Sequence, residues 1–326
     1  MRNILLVFVT SIIAVVAIYF LGPRASDRAS VSFNPSGIGE DLDTYLAQKE
    51  SRVPDIREGL QKEIVWADPQ TKEKTAYSIV YIHGFSASKE EIRPIPDRVA
   101  DRLQANLYYT RLQGHGRTGD AMAEGTLSGW LNDVAEALTI GRRIGDKTIV
   151  IATSTGATLA AWGSLSHSDM MAGTHAMVLF SPNFGPNAVG SFLLAAPFAE
   201  HFVPWLLGPT YGTNAGASAK EDHAWTLSYA SKALIPMAAA VDAVNRLDPS
   251  TNTIPTLFIY AMEDKTVDAA KTETVYEAWA EPKSRILIEA SGDPNFHVNA
   301  GDIISPENND SVTNDILEWL KSLGLS

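Results

Sequence analysis

The stretch TIVIATSTG at residues 148–156, followed by ATLAAW at 157–162, decides the fold. The first apolar run predicts a buried strand, and the small residues after it predict a helix. Ser154 falls on the turn between them, with small residues two positions before and after it, which is the pattern of a nucleophile elbow. The usual pattern has glycine where this chain has Ala152. The alternative is an ordinary strand–turn–helix unit with a surface serine.

The composition of the 326 residues excludes several kinds of protein. With 45% hydrophobic and 20% charged residues, the chain is of ordinary globular type. Its length suits one large α/β domain with an insertion, or two modest domains. The net charge of -12 argues against a nucleic-acid partner. The absence of cysteine excludes disulfides, thiol nucleophiles and zinc–thiolate sites.

Strand and helix patterns alternate over most of the chain. Strands are predicted at 63–66, 77–82, 106–110, 148–151, 177–180, 256–260 and 285–288. Helices are predicted at 40–50, 90–103, 126–144, 267–279 and 311–323. Such alternation predicts an α/β fold whose mostly parallel, doubly wound sheet is covered by helices on both faces.

The interval between the strands at 177–180 and 256–260 is far longer than one crossover requires. Residues 185–247 are therefore predicted to form an inserted lid, which is rich in bulky apolar side chains. The predicted core consists of the segments on either side of this insertion, at 61–184 and 248–326.

A nucleophilic serine needs a histidine to take its proton and a carboxylate to orient that histidine. In parallel sheets these groups lie on loops at the carboxyl ends of strands. Asp264 follows the strand at 256–260 and is the predicted carboxylate. Glu263 and Asp268 in the same loop are alternatives, although Asp268 is better placed to cap the next helix. Asp293 is a further alternative, because it lies close to the predicted histidine.

His297 is the predicted base. It lies in the polar loop after the strand at 285–288, and it is the only histidine C-terminal to Asp264. Ser154, Asp264 and His297 then follow the chain order serine, acid, histidine, which is the order found when the serine sits on a nucleophile elbow. This ordering favours a catalytic triad over three unrelated residues.

The oxyanion of an acyl-transfer reaction needs two preorganised N–H donors. The amide of Thr155, directly after Ser154 at the start of the helix, is one predicted donor. The amide of Phe85 is the other, because His83-Gly84-Phe85 follows the central strand and glycine permits a tight turn there. The alternative for this tripeptide is a plain turn at a strand end.

These motifs make the chain resemble the α/β-hydrolase superfamily over about 63–323. The matching residues are His83-Gly84-Phe85, the loop RLQGHGR at 111–117, Trp130 with Asp133, ATSTG at 152–156, Asp264 and His297. The loop at 111–117 is similar to that of the monoacylglycerol lipase and carboxylesterase branch. The resemblance implies an eight-stranded type of sheet, a helical lid between strands six and seven, and esterase or lipase activity without a cofactor or metal.

The expected function is that of a serine carboxylesterase acting on a small monoacyl ester with an apolar acyl chain, a class that includes lipid-derived esters. An acyl pocket over Ser154 is predicted in the lid, and the alternative is that the same side chains only pack the lid onto the sheet. Its predicted members are Phe192, Leu193, Phe198, Trp205 and Leu206. A thioesterase or amide hydrolase with the same triad is the alternative activity, and a non-catalytic binding protein of the same fold is the alternative class.

The N-terminal segment is predicted to contact a membrane. Residues 4–21 form an apolar run without a charge, which is long enough to span a bilayer. Residues 1–23 are therefore predicted to be a transmembrane anchor or signal segment, and residues 24–60 a linker with a short helix. The catalytic domain is expected outside the cytoplasm, with export after cleavage as the alternative. The oligomeric state is not predicted.

Overall fold

The computed structural model describes residues 2–326, apart from the side chains of residues 2, 5, 15, 18 and 27. Within these residues, seven strands form the main sheet. All the strands are β1 (Glu63–Val65), β2 (Thr75–Ile82), β3 (Asn106–Tyr109), β4 (Gly145–Thr153), β5 (Thr174–Phe180), β6 (Thr210–Gly212), β7 (Ser228–Ala230), β8 (Thr256–Tyr260) and β9 (Lys283–Leu287). The strands β6 and β7 form a separate small sheet. The helices are α1 (Arg2–Leu21), α2 (Leu42–Glu50), α3 (Ile95–Arg102), α4 (Leu127–Ile144), α5 (Thr155–Ser166), α6 (Ser168–Met171), α7 (Ala199–Leu207), α8 (Ala219–Ala224), α9 (Leu234–Val244), α10 (Ala269–Ala278) and α11 (Asn309–Ser322).

The strand order places the ends of the central strands side by side. The order is β1-β3-β2-β4-β5-β8-β9, in which β1 is antiparallel to β3 and the other neighbours are parallel. Ile82 of β2 pairs with Ala152 of β4, and Thr153 pairs with Phe180 of β5. The residues that follow these strands therefore meet at one edge of the sheet. The predicted fold class, a mostly parallel α/β sheet with flanking helices, is confirmed.

Two apolar cores enclose the sheet, one on each face. Val80 and Ile82 belong to one core and Ile79 and Tyr81 to the other, and all four side chains are fully buried. Side chains alternate between faces along a strand, so a strand covered on both sides needs apolar residues at every position. This is why the central strands stand out in the sequence as continuous apolar runs.

The start of one helix and the number of strands in the main sheet differ from the sequence predictions. The helix predicted at 90–103 begins only at Ile95, because Pro94 occupies its N-cap position and proline is accommodated at a helix start but not inside a helix. The eight-stranded type of sheet implied by the resemblance has one strand more than the sheet formed by the described residues. The insertion therefore lies between the fifth and sixth strands of this sheet, β5 and β8.

The insertion divides into a surface part and a buried part. Its first helix, α7, has Trp205 on its exposed side. Its last helix, α9, is buried over most of its length and packs against α5, directly behind the predicted nucleophile. The C-terminal part of the predicted lid thus belongs to the packed body of the protein.

The first part of the predicted linker, at 24–39, is held against the core by specific contacts. Ser26 donates a hydrogen bond to Asp242 of α9 over 2.5 Å. The amides of Ser32 and Phe33 both donate to the Asn132 side chain of α4 at 2.8 Å. These contacts, together with partly buried apolar side chains, hold the segment against the core.

The run predicted as an anchor, 1–23, contains the helix α1. Over the residues that the structure describes, no helix meets both the length and the apolarity needed to cross a membrane. The prediction of a membrane anchor therefore has no support in the structure.

Candidate active site

Ser154 stands at the sharp turn between β4 and α5. Its backbone has φ 51° and ψ -116°, a conformation that costs a non-glycine residue on the order of 1–3 kcal/mol. A Cβ atom at Gly156 would lie 2.3 Å from the carbonyl oxygen of Ile82, so only glycine fits two residues after the serine. Ala152, two residues before it, is fully buried, and its methyl group is accommodated in the core.

Ser154, His297 and Asp264 form one hydrogen-bonded chain of side chains. His297 Nε2 lies 3.0 Å from Ser154 Oγ, and His297 Nδ1 lies 2.8 Å from Asp264 Oδ2. A carboxylate only accepts, so Nδ1 carries the proton and Nε2 presents a lone pair to the serine hydroxyl. The structure thus brings the three predicted residues together in the geometry that a general base needs.

The loop after β8 fixes the carboxylate. Asp264 Oδ1 accepts the backbone N–H groups of Thr266 and Val267 at 2.8 and 2.9 Å, which leaves Oδ2 for the imidazole. Of the alternative acids, Glu263 is exposed. Asp268 caps α10 by accepting the Ala270 N–H at 3.1 Å, as predicted for it.

Asp293 holds the histidine loop and does not contact the imidazole through a hydrogen bond. Its Oδ2 accepts the backbone N–H groups of His297 and Val298 at 3.1 and 2.9 Å, and its Oδ1 accepts the Asn295 N–H at 2.8 Å. On the other side, the Ser181 hydroxyl donates to the His297 carbonyl at 2.7 Å. The imidazole is therefore positioned from its own backbone as well as by Asp264.

The two predicted oxyanion donors border the same cavity as Ser154. Phe85 and Thr155 both line it, and neither backbone amide donates a hydrogen bond to another group within the described residues. Gly84 brings the Phe85 loop close, because a Cβ atom there would lie 3.2 Å from Ser154 Cβ. Two free amides beside a serine hydroxyl are what an oxyanion hole requires.

Two buried histidines, His83 and His115, lie next to the Phe85 loop. His83 Nε2 accepts the Leu112 N–H at 3.1 Å, and burial lowers the pKa of His83 to about 4. Burial also holds the pKa of His115 well below its ordinary value, and its ring lies 5.8 Å from that of Phe85. Both rings are therefore neutral near pH 7 and serve as packing and hydrogen-bonding groups, which separates them from His297.

Trp130 and Asp133, which are also among the residues that carry the α/β-hydrolase resemblance, have structural roles. Trp130 donates its indole N–H to the Gln113 carbonyl at 2.9 Å, and Asp133 accepts the Gln113 N–H at 2.7 Å. Asp133 in turn pairs with the buried Lys62 at 2.9 Å. These contacts fix the loop at 111–117, which carries His115. The Phe85 ring packs against the His115 ring of this loop.

A cavity of about 560 Å³ opens above the triad. Of the five predicted pocket residues, Leu193 and Leu206 line it. Phe192, Phe198 and Trp205 are not among its lining residues and have exposed fractions of 65%, 44% and 85%, so that prediction is wrong for these three. Phe192 lies on the turn at 191–195, Phe198 is the N-cap of α7 and Trp205 lies on α7, and all three side chains project outward.

Residues between 211 and 237 of the insertion contribute an apolar wall to the cavity that was not predicted from the sequence. Its residues are Tyr211, Trp225, Leu227, Tyr229, Leu234 and Met237. The signal available in the sequence was the density of apolar residues at 225–237, which distinguishes a buried segment from a solvated loop but does not indicate which side faces the serine.

Comparison with known proteins gives one family and a set of similar folds. The family model "Serine aminopeptidase, S33" matches residues 73–291. No curated protein sequence matches.

Three solved structures illustrate the similar folds. A structure of the metagenome-derived lipolytic enzymes LipS and LipT is 17% identical, with 82% of this chain and 100% of that one covered and a TM-score of 0.67. The monoacylglycerol lipase of Paleococcus ferrophilus is 12% identical, with 82% and 99% covered and a TM-score of 0.59. A soluble variant of the monoglyceride lipase of Saccharomyces cerevisiae is 12% identical, with 81% and 91% covered and a TM-score of 0.57. At these identities the likeness is one of fold.

Proposed function

Since the chain belongs to the serine aminopeptidase S33 family of the α/β-hydrolase superfamily, we propose that it hydrolyses carboxylic esters through an acyl-enzyme on Ser154. The observation that carries this proposal is the Ser154–His297–Asp264 chain of hydrogen bonds at the base of a mainly apolar cavity. The substrate proposed is a small monoacyl ester with an apolar acyl chain, because such a chain matches the cavity wall.

The proposed reaction proceeds in two halves. Ser154 Oγ attacks the ester carbonyl while His297 Nε2 takes the hydroxyl proton, and the amides of Phe85 and Thr155 bind the resulting oxyanion. The bond to the alcohol then breaks, and the imidazolium gives its proton to the leaving oxygen. Water repeats the sequence on the acyl-enzyme, so that the acid is released and the serine is restored. Asp264 stabilises the imidazolium in both halves and does not take its proton.

A leaving-group series tests this activity. An ester, a thioester and an anilide that share one acyl group should be compared by kcat/KM, with the ester expected to react fastest. A thioesterase or amide hydrolase has the same triad, and faster turnover of the thioester or the anilide would select one of those activities instead. No turnover of any of the three, together with no labelling of Ser154 by a fluorophosphonate, would favour a non-catalytic binding protein.

The ionisation of His297 predicts the acid limb of the rate profile. Burial opposes the charged imidazole, but the hydrogen bond and charge of Asp264 outweigh it, and the pKa of His297 is raised above its ordinary 6.5. The base must be neutral to accept the serine proton, so kcat/KM is expected to fall as pH decreases through this raised pKa. The measurement is kcat/KM of an activated ester between pH 5 and 9. An acid limb of kcat/KM centred well below pH 6.5 would contradict the assignment of His297 as the base.

The cavity wall predicts how acyl preference changes on mutation. Leu193→Ala removes a lining side chain, so the preferred acyl chain is expected to lengthen, with each added methylene contributing about 0.8 kcal/mol of binding. The adjacent Phe192→Ala is the matched control, since Phe192 lies on the same turn and does not line the cavity. The measurement is kcat/KM for esters of graded acyl length. An unchanged profile in Leu193→Ala, or the same shift in both variants, would contradict the pocket.

We also propose that the catalytic domain is located outside the cytoplasm. The support for this is the uncharged apolar run at 4–21, which has the character of an export segment.

A further inference from the structure

Glu91 is a buried carboxyl group that the proposed mechanism does not use. It lies between β2 and α3, is 2% exposed and lines the cavity that contains Ser154. Its Oε2 accepts the Gly84 N–H at 2.7 Å and the Tyr81 hydroxyl at 2.9 Å. Among the described residues, no lysine or arginine pairs with it.

The neighbouring charges are engaged elsewhere. Lys89 pairs with Glu63, and Glu90 pairs with Arg93 at 3.0 Å on the surface side of the same turn. An unpaired buried carboxylate is unfavourable, and burial raises the pKa of Glu91 to about 7. Such a group in an active-site cavity is a candidate for a functional role, provided that its geometry reaches the reacting groups.

Gly84 links the Glu91 carboxyl to the nucleophile Ser154. A Cβ atom built on Gly84 would lie 2.6 Å from Glu91 Oε1 and 3.2 Å from Ser154 Cβ, so the residue 84 backbone is sandwiched between carboxyl and nucleophile. The next residue, Phe85, carries one of the two proposed oxyanion amides. Whatever holds the Gly84 amide in place also sets the direction of the Phe85 amide.

The same carboxyl is linked to the nucleophile strand. The Tyr81 hydroxyl that donates to Glu91 also lies 3.1 Å from Thr153 Oγ1, and Thr153 directly precedes Ser154. The hydrogen bonds therefore run from the last residue of β4 through Tyr81 and Glu91 to Gly84. Buried networks of this kind rigidify the groups they join.

We propose that Glu91 is a positioning residue of the oxyanion hole, whose carboxyl oxygen fixes the Gly84–Phe85 backbone at a set distance from Ser154. This inference rests on the proposed esterase function. It assigns this role to the hydrogen-bond acceptor, because both hydrogen bonds to Glu91 come from neutral donors. The negative charge of Glu91 has a separate effect, since it helps to raise the pKa of His297.

Two conservative substitutions separate the acceptor from the charge. Glu91→Gln keeps an oxygen at the same reach and removes the charge. Glu91→Asp keeps the charge and withdraws the oxygen by one methylene. With p-nitrophenyl butyrate as the probe, Glu91→Gln is expected to retain a kcat close to that of the wild type. Glu91→Asp is expected to lose roughly 10²-fold in kcat at nearly unchanged KM, because a misplacement of about 1 Å costs that much.

The matched controls are Glu90→Gln and Glu90→Asp, which alter the adjacent, partly exposed carboxyl and should leave kcat unchanged. Melting curves of all four variants separate a loss of folding from a loss of rate. An equal kcat in Glu91→Asp and Glu91→Gln would overturn the proposal, whether both variants keep the activity or both lose it.

A second readout keeps the role of Glu91 separate from the esterase activity. If the wild type hydrolyses no ester, the esterase proposal fails, and the rate of Ser154 labelling by a fluorophosphonate, which uses the same amides, is measured instead. Glu91→Asp is then expected to be labelled more slowly than Glu91→Gln. Equal labelling rates in the two variants would overturn the positioning role.

Discussion

Ser154→Ala is expected to lower kcat for ester hydrolysis by roughly 10⁴–10⁶-fold without loss of the fold. The physical reason is that the Ser154 hydroxyl donates a hydrogen bond to His297 Nε2 over 3.0 Å and borders the same cavity as the two residues that carry the proposed oxyanion amides. Because the three members of the triad act as one unit, His297→Ala should show a loss of the same order. The measurement is kcat for an activated ester, taken alongside a melting curve.

A second serine, on the helix that follows Ser154, provides the control. Ser164 of α5 donates to the Ala161 carbonyl at 3.0 Å and does not line the cavity, so Ser164→Ala should keep full activity. Fluorophosphonate labelling should disappear in Ser154→Ala and persist in Ser164→Ala. Residual turnover within tenfold of the wild type in folded Ser154→Ala would place the nucleophile elsewhere.

Asp264→Asn is expected to lower kcat by about 10⁴-fold, the size of loss seen when a triad carboxylate becomes an amide. In the folded protein, Oδ1 accepts two backbone N–H groups, from Thr266 and Val267, and an asparagine oxygen would be held there. The asparagine NH₂ group would then face His297 Nδ1 and donate to it. The imidazole proton would move to Nε2, and the group facing Ser154 would be a donor unable to act as a base.

Asp293→Asn is the matched comparison for the acid. Its oxygens accept only backbone N–H groups of the histidine loop, so the amide oxygen preserves part of the contact and the His297 tautomer does not change. We expect a modest loss of kcat together with a lower melting temperature. A loss at Asp293 that equals or exceeds the loss at Asp264 would move the orienting acid to the loop after β9.

The sheet and the positions of Ser154, Asp264 and His297 along the chain could be predicted because each leaves a local signal. Strands covered on both faces are continuous apolar runs, and polar residues directly after them fall at one edge of a parallel sheet. The hydrogen bonds between the three side chains span 33 and 143 residues and could be inferred only from the order of the elements.

Other features leave no local signal. Trp205 and Leu206 are neighbours in a bulky run, yet one projects into solvent and the other lines the cavity. Glu91 ends the run Lys89-Glu90-Glu91, which has the composition of a solvated turn, and only the packing of Tyr81 and Gly84 around it makes it an interior group. The segment at 24–39 likewise has the composition of a spacer, and its order depends on Asn132 and Asp242, which are remote in sequence.

The backbone conformation of Ser154 bears on the stability of the protein as well as on its chemistry. Ser154, Ser181 and Phe296 all have positive φ, at 51°, 39° and 55°, and all three lie at the triad. Glycine would relax the backbone at each position, but the side chains of Ser181 and Phe296 make structural contacts, with the His297 carbonyl and with the core respectively. Within the described residues, the hydrogen bond of the Ser154 side chain is the one to His297, so its strained conformation serves the reaction and not the packing of the fold. The alternative of a hydrolase fold retained only to bind ligands gives no reason to keep it.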